Sequence, residues 1–438
     1  MNHVLHPSWA VTLPEREGPR LLHVNATATG GGVAELLNGL IPAQSADGIS
    51  VGWAVISGTE PFFALTKRIH HLLHGQGDPD VLGRPETTEL YRSVLRSQAD
   101  WLAGVVGADD VVVLHDPQTL GLAPGLVDSG ARIVWHCHIG TTTGDTTPPA
   151  AVWRFFSDEL PLLDAVLTTR SEFAPDCLPQ TAIHVAAPAI DPLSLKNREL
   201  TEREIADLLD GIGLCTPRSG VGSNSTVDAV VEQDQVLPTG ALTVLQVSRW
   251  DPLKDMGGVL RCFSSFPDDV HLVLAGPDPS EVSDDPEGLA VLAALRADLA
   301  RTPRRIRERV HLVIMSMRRP DTNALLVNAL QRRADVVLQK SLEEGFGLTL
   351  TEAMIKRKAV VASDVGGLSA QVEHGRTGLL VDPLDDAAVV AAVRRLLADP
   401  ALRREIGERA AAAVSERFLM SRLVADYRRV VATAPSSP

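Results

Sequence analysis

The chain is poor in aromatic residues, at 4%, and in cysteine, with Cys137, Cys177, Cys215 and Cys262 scattered and no CxxC pair. That excludes a disulfide-stapled scaffold and points to reduced thiols in a cytoplasmic enzyme. Positive charge is also short: 41 Lys and Arg against 55 Asp and Glu leave −14 at neutral pH. A nucleic-acid binder would usually carry a basic face, so no nucleic-acid partner is expected. No apolar run approaches the ~20 residues that span a bilayer. The stretch MNHVLHPSWAVTLPEREGPR has no basic start followed by an apolar core. Neither membrane insertion nor a secretory signal is therefore expected.

What is present is an ordinary globular composition, 45% hydrophobic and 22% charged, over 438 residues. That length exceeds one usual core, so two domains are expected. Short β-branched runs recur between helix-like segments. In the first half they are Arg20–Val24, Val51–Ile56, Val111–His115, Ile133–His138, Ala165–Thr169 and Ala182–Ala186. In the second half they are Leu242–Ser248, His271–Ala275, Val310–Met315, Asp335–Gln339, Ala359–Ser363 and Gly378–Val381. Apolar strands alternating with amphipathic helices predict an α/β chain of two doubly wound, Rossmann-like domains with parallel sheets. The expected divisions are 1–200, a linker and variable loop over 201–240, a second domain over 241–415, and a C-terminal crossover helix and tail over 416–438. No catalytic role is expected for the polar Gly/Ser-rich loop. In open parallel sheets ligands sit at the carboxyl ends of strands, which would place the site in a cleft between two facing sheets.

The most informative stretch is SLEEGFGLTLTE, Ser341 to Glu352. A strand runs in, Gly345-Phe346-Gly347 makes a turn, and an apolar helical run leaves from Leu348. Free N–H groups at a helix start suit a phosphate, and Glu344 and Glu352 can accept hydrogen bonds from sugar or ribose hydroxyls. Arg249 and Lys254 follow the strand Leu242–Ser248 and can neutralise a diphosphate. In isolation they read as a solvated basic pair; beside the Glu344 loop the diphosphate reading is preferred. Gly30-Gly31-Gly32 precedes a helix and fits either a phosphate cradle or a tight turn, but neither GxGxxG nor the P-loop pattern.

His136 and His138 end one strand and His115-Asp116 ends its neighbour. Alternation puts His136 and His138 on one face. A sugar contact ranks first for them, a structural role second and a metal site third, because no further ligand cluster supports zinc. Phe62, Phe63, Lys67, His70, His71 and His74 read as a helix whose stripe is core, with Lys67 able to reach the cleft. Asp284-Asp285 reads as loop or helix-cap chemistry.

With these residues assembled, the chain resembles glycosyltransferase family 4, in its trehalose synthase-like branch. HVNATATGGGVAE, WHCHI, VSRWDPLKD and VNALQRRADVVLQKSLEEGFGLTLTEAM carry the wider likeness. FFALTK, HDPQ, IDPLSLKN and DDPEG are more specific to the branch. The resemblance implies a GT-B fold and a retaining, metal-independent transfer from a nucleotide diphosphate sugar, with no cofactor. It implies that Arg249 and Lys254 bind the diphosphate, that Glu344 contacts the donor sugar and Glu352 the ribose. It further places His138 near the reacting sugar, Gly31 and Gly32 beneath the phosphates, and the N–H groups of Phe346, Gly347 and Leu348 on the donor. Lys67, Asp116, His136 and Gly140 fall on the acceptor side.

There the chain departs from that branch: CHI continues with Gly140 where Asp is typical. Transfer to a different small polar acceptor, through an alcohol, amine or thiol in an antibiotic or secondary-metabolite pathway, is the resulting expectation. Trehalose formation from NDP-glucose and glucose is the alternative, and a catalytically silent sugar-nucleotide-binding protein is the alternative of another class. A homodimer is compatible with the sequence.

Overall fold

The computed structural model describes residues 2–6, 9–15, 18–28, 31–142, 147–215, 228–281 and 287–433. Gly30, residues 143–146, residues 216–227 of the Gly/Ser-rich loop and Asp284-Asp285 lie outside the described residues. The chain divides into two compact units, Met1–Ile190 with Glu344–Phe346 and Met420–Pro438, and Asp191–Glu343 with Gly347–Leu419.

The strands of the first unit are β1 (Asn2–His6), β2 (Trp9–Leu13), β3 (Leu21–Asn25), β4 (Val51–Val55), β5 (Val111–His115), β6 (Arg132–Cys137), β7 (Ala165–Thr168) and β8 (Ile183–Val185). Among the described residues they form one sheet in the order β1-β2-β4-β3-β5-β6-β7-β8. From β4 across to β8 the pairings are parallel. Alternation along β5 divides the core. Val112 and Leu114 pack on one face with Phe62, Tyr91 and Phe156. Val111 and Val113 pack on the other with Leu36 and Leu40 of the helix Gly32–Ala46 and Leu423 and Tyr427 of the helix Met420–Thr433. That split is what a two-residue side-chain period produces when both faces are covered by helices.

The second unit holds β9 (Ala229–Glu232), β10 (Leu242–Val247), β11 (Val270–Pro277), β12 (Val310–Met315), β13 (Val336–Gln339), β14 (Ala359–Ser363) and β15 (Leu379–Val381). Their order is β15-β14-β13-β10-β11-β12-β9. Val244, Leu272, Leu274, Leu312 and Val336 share one core with Met256, Phe263 and Val393 from the covering helices.

Two features differ from the sequence reading. The sheets are mixed, because β1 and β2 form an antiparallel hairpin on one edge and β9 pairs antiparallel with β12 on the other sheet. The stretch expected to be linker carries structure: the helix Glu202–Gly211 begins with a reciprocal Thr201–Glu204 capping box and packs on the helix Pro320–Arg333. A capping box satisfies two otherwise orphaned helix N–H groups, so this helix has its own reason to start where it does. Among the described residues no helix is long and apolar enough to cross a membrane.

Candidate functional site

In the second unit, parallel pairing of β10 with β13 brings the loops after them together at the carboxyl edge of the sheet. Gln246, fully buried on β10, joins them. Its side-chain oxygen accepts from the Lys340 N–H at 2.9 Å and its NH2 group donates to the Lys254 carbonyl at 2.7 Å. The Leu342 N–H donates to the Leu253 carbonyl at 2.7 Å. Arg249 and Lys254 are both partly exposed on the first of these loops. Arg249 stands 3.6 Å from the buried Asp251. Behind them Lys340, 1% exposed, bonds Asp255 and lies 3.4 Å from Asp386.

The second loop ends at Gly347, whose φ of 84° is left-handed and suits glycine, and the helix Leu348–Ile355 starts there without a side-chain cap. An uncapped start leaves N–H groups for a ligand anion. Glu344 is partly buried in the turn, Phe346 is buried, and Glu352 is buried one helical turn beyond Leu348. Lys196 reaches within 3.5 Å of the Glu352 carboxylate. Its neighbour Asn197 accepts from the buried Lys356 ammonium at 3.0 Å, which fixes the segment IDPLSLKN against this helix. Sequence reasoning missed Lys196, Asn197 and Gln246; the motif IDPLSLKN was the available signal for the first two.

In the first unit, β5 and β6 pair so that His115 lies opposite His136. His136 and His138 share a face, with ring centroids 3.8 Å apart. His115 Nδ1 is 3.0 Å from His138 Nε2, and His136 Nδ1 is 2.6 Å from the Tyr427 hydroxyl. Burial lowers the pKa of His138 to about 3 and those of His115 and His136 well below the usual value. These rings are neutral at physiological pH. Donor atoms of His115, His136 and His138 lie within 4.8 Å of one another, a spacing that can hold a metal ion. His115 and His138 are also hydrogen-bonded to each other.

Asp116 has a left-handed φ of 58°, uncommon for a residue with a side chain. Its carboxylate accepts from the His138 N–H at 2.8 Å. Burial raises its pKa from 3.8 to about 7, against the opposing effect of that bond. Between those two values the folded chain holds a proton that the unfolded chain releases, so the group costs stability progressively from about pH 4 to about pH 7. Asp116→Asn keeps an acceptor for His138 and removes the titration. The variant's melting temperature relative to wild type is expected to rise across that window and stay level above it. A difference constant with pH, measured by thermal unfolding, would refute the assignment.

Lys67 is partly buried on the helix Glu60–Leu73, which packs against the short helix Asp116–Leu120. Gly31, with φ 91°, precedes the helix Gly32–Ala46, which has no side-chain cap. Gly140 is enclosed: a Cβ there would lie 2.6 Å from the Cβ of buried Phe173, so the phenyl group fills the space a side chain would need.

Residues 23–175 match the family described as "Trehalose synthase, N-terminal domain", and residues 230–413 the one described as "Glycosyl transferases group 1". The chain is 35% identical over 420 residues to the trehalose synthase of Rubrobacter xylanophilus, covering 95% of this chain and 90% of that protein. It is 32% identical over 409 residues to the trehalose synthase of Thermococcus litoralis, covering 93% and 88%. The α,α-trehalose 6-phosphate synthase of Burkholderia multivorans has the same fold, with TM-score 0.69 at 16% identity, covering 95% of this chain and 100% of that one.

Proposed function

The chain belongs to glycosyltransferase family 4, with a trehalose synthase N-terminal domain, and from that premise we propose that it transfers glucose from a nucleotide diphosphate to a second glucose, forming trehalose. The observation that carries this reading is the 35% identity to a trehalose synthase across nearly the whole chain. The substitution at Gly140 motivates the competing reading, a different small polar acceptor.

In the proposed reaction Arg249, Lys254 and the uncapped helix start at Leu348 take up charge on the departing diphosphate. Glu352 accepts from the ribose and Glu344 from the sugar, positioning it without attacking it. His138, held neutral, accepts or donates one hydrogen bond to a sugar hydroxyl. Retention then needs no enzyme nucleophile: a donor phosphate oxygen takes the acceptor's proton on the face that the diphosphate leaves. No metal or cofactor enters this scheme.

Incubation of UDP-, ADP-, GDP- and TDP-glucose with glucose, followed by chromatography for trehalose, tests the proposal. Transfer to other acceptors with no trehalose from any donor would sink it. Thermal shift identifies the nucleobase first, since a ligand at 100 times its Kd adds roughly 2.7 kcal/mol.

The enclosure of Gly140 supplies a further expectation. Gly140→Asp should destabilise the protein by about 1–3 kcal/mol, the range for overpacking a filled site. Adding Phe173→Ala should make that substitution less costly. Denaturant midpoints of the two single variants and the double variant measure this, and additive effects would rule it out.

A further inference from the structure

We propose that Gln44, remote in sequence from the site, fixes the tautomer of His138 through a relay of His23 and His115. The four side chains form one line of hydrogen bonds. Gln44 Oε1 lies 2.9 Å from His23 Nε2, His23 Nδ1 lies 2.9 Å from His115 Nε2, and His115 Nδ1 lies 3.0 Å from His138 Nε2. Gln44 and His23 are 0% exposed, His115 1% and His138 9%. The relay draws on the helix Gly32–Ala46, on β3, on the end of β5 and on the residue after β6.

A neutral imidazole carries one N–H and one lone pair. With the Gln44 amide as it stands, its Nε2 buried without a hydrogen-bond partner, its carbonyl oxygen obliges His23 to donate from Nε2, which leaves His23 Nδ1 as an acceptor. His115 must then donate from Nε2 to that acceptor, and His138 from Nε2 to His115. The outcome is a single pattern with the lone pair of His138 on Nδ1. Turning the Gln44 amide over would reverse every bond in the line and put the proton of His138 on Nδ1. A break at any link would set two lone pairs or two protons against each other in a dry interior, where an unmade hydrogen bond carries its whole desolvation cost. Burial holds His23 down to about pKa 4 and His138 to about 3, so protonation does not scramble the pattern near neutrality. His136 stays outside the line: its Nδ1 meets the Tyr427 hydroxyl, and its buried Nε2 makes no hydrogen bond to any of these side chains.

The consequence concerns the hydroxyl that His138 meets, and this part rests on the glycosyltransferase reading. With its lone pair on Nδ1, His138 offers that atom as an acceptor, so the hydroxyl donates to it. Gln44, His23 and His115 are positioning residues in this scheme. The competing explanation for the same cluster is a metal ion on His115, His136 and His138. It would compete with the hydrogen bonds these rings already make.

Long-range proton–nitrogen correlation spectra of the full chain, labelled with 15N-histidine, read each ring's tautomer directly. His138→Asn, His115→Asn and His23→Asn assign the signals. The expected wild-type result is an Nε2–H form at all three positions. Gln44→Glu, whose side chain only accepts once ionised, should keep it at a pH above the titration of that buried carboxyl. Gln44→Leu should mix the two forms at all three, and lower kcat by about two- to tenfold, the worth of one hydrogen bond to the substrate, with ionised Gln44→Glu remaining close to wild type. An Nδ1–H form of His138 in the wild type overturns the proposal, and so does a Gln44→Leu spectrum unchanged at His138. Stoichiometric zinc in the purified protein whose removal alters these signals also overturns it. If Gln44→Leu does not fold, the wild-type and Gln44→Glu spectra still decide the question. The spectra need no substrate, so failure to form trehalose and failure of the relay are separate results.

Discussion

Lys254→Ala and Arg249→Ala are each expected to lower kcat by about a hundredfold or more, the usual loss when a fixed group that stabilises developing charge is removed. The expectation comes from where the two cations stand. Both are on the loop that leaves the central strand β10, beside the loop that leads to an uncapped helix start at Gly347. Neither is sealed in the interior, Arg249 being 32% exposed, so each can meet a ligand. Arginine supplies a planar fork and lysine a compact point charge, and a diphosphate offers oxygens for both. Asp251, 3.6 Å from Arg249, orients the guanidinium before substrate arrives. Steady-state kinetics with the donor identified by thermal shift measure the effect. Near-normal turnover in both variants would remove the diphosphate assignment, whereas a rise in KM alone would make the pair a binding element without a role in the reaction step.

Lys340→Met is expected to destabilise the protein by about 3–5 kcal/mol, the range for breaking a buried ion pair by removing one partner. Lys340 is 1% exposed and bonds Asp255, which is itself 16% exposed. Without the ammonium, the Asp255 carboxylate is left with the more distant and exposed Arg261, 3.9 Å away. Asp255 has a second duty: with φ 44° it caps the helix Met256–Phe263 by accepting the Gly258 N–H at 2.9 Å. Asparagine tolerates that backbone and keeps the cap, so Lys340→Met with Asp255→Asn should recover part of the loss. Denaturant unfolding of the two single variants and the double variant forms a cycle that isolates the pair. A cost below about 1 kcal/mol for Lys340→Met would show that the carboxylate finds other partners.

The inner strands were legible because each is a mostly apolar run of the length a covered parallel strand requires, even where a histidine, threonine or glutamine interrupts it. The edges were not. β1 and β2, NHVLH and WAVTL, are separated by a polar-proline step that does not read as a hairpin. β9 is only AVVE, exposed on one side and set in polar surroundings, so nothing in its pattern marks it as a strand. At the site, sequence separated residues that announce chemistry from those that arrange it. Arg249, Lys254, Glu344 and Glu352 lie within short strand–loop–helix segments, so local pattern could place them. Gln44, His23 and Tyr427 meet His115, His136 and His138 only through sheet pairing and helix docking, across as many as 291 positions in the chain. Gly140 was read for the carboxylate it lacks; the packing of Phe173 against it is a tertiary fact that no local pattern carries.

Gln246 has a consequence for how such proteins can diversify. One amide holds both loops at this carboxyl edge of the sheet, through the Lys340 N–H and the Lys254 carbonyl. Neither loop is therefore an independent module for exchange between relatives. A chimaera that imports the segment after β13 without the residue at 246 and the segment after β10 inherits a loop whose anchor is missing. Recombination that respects this bond must carry residues 246–254 and 340–347 together.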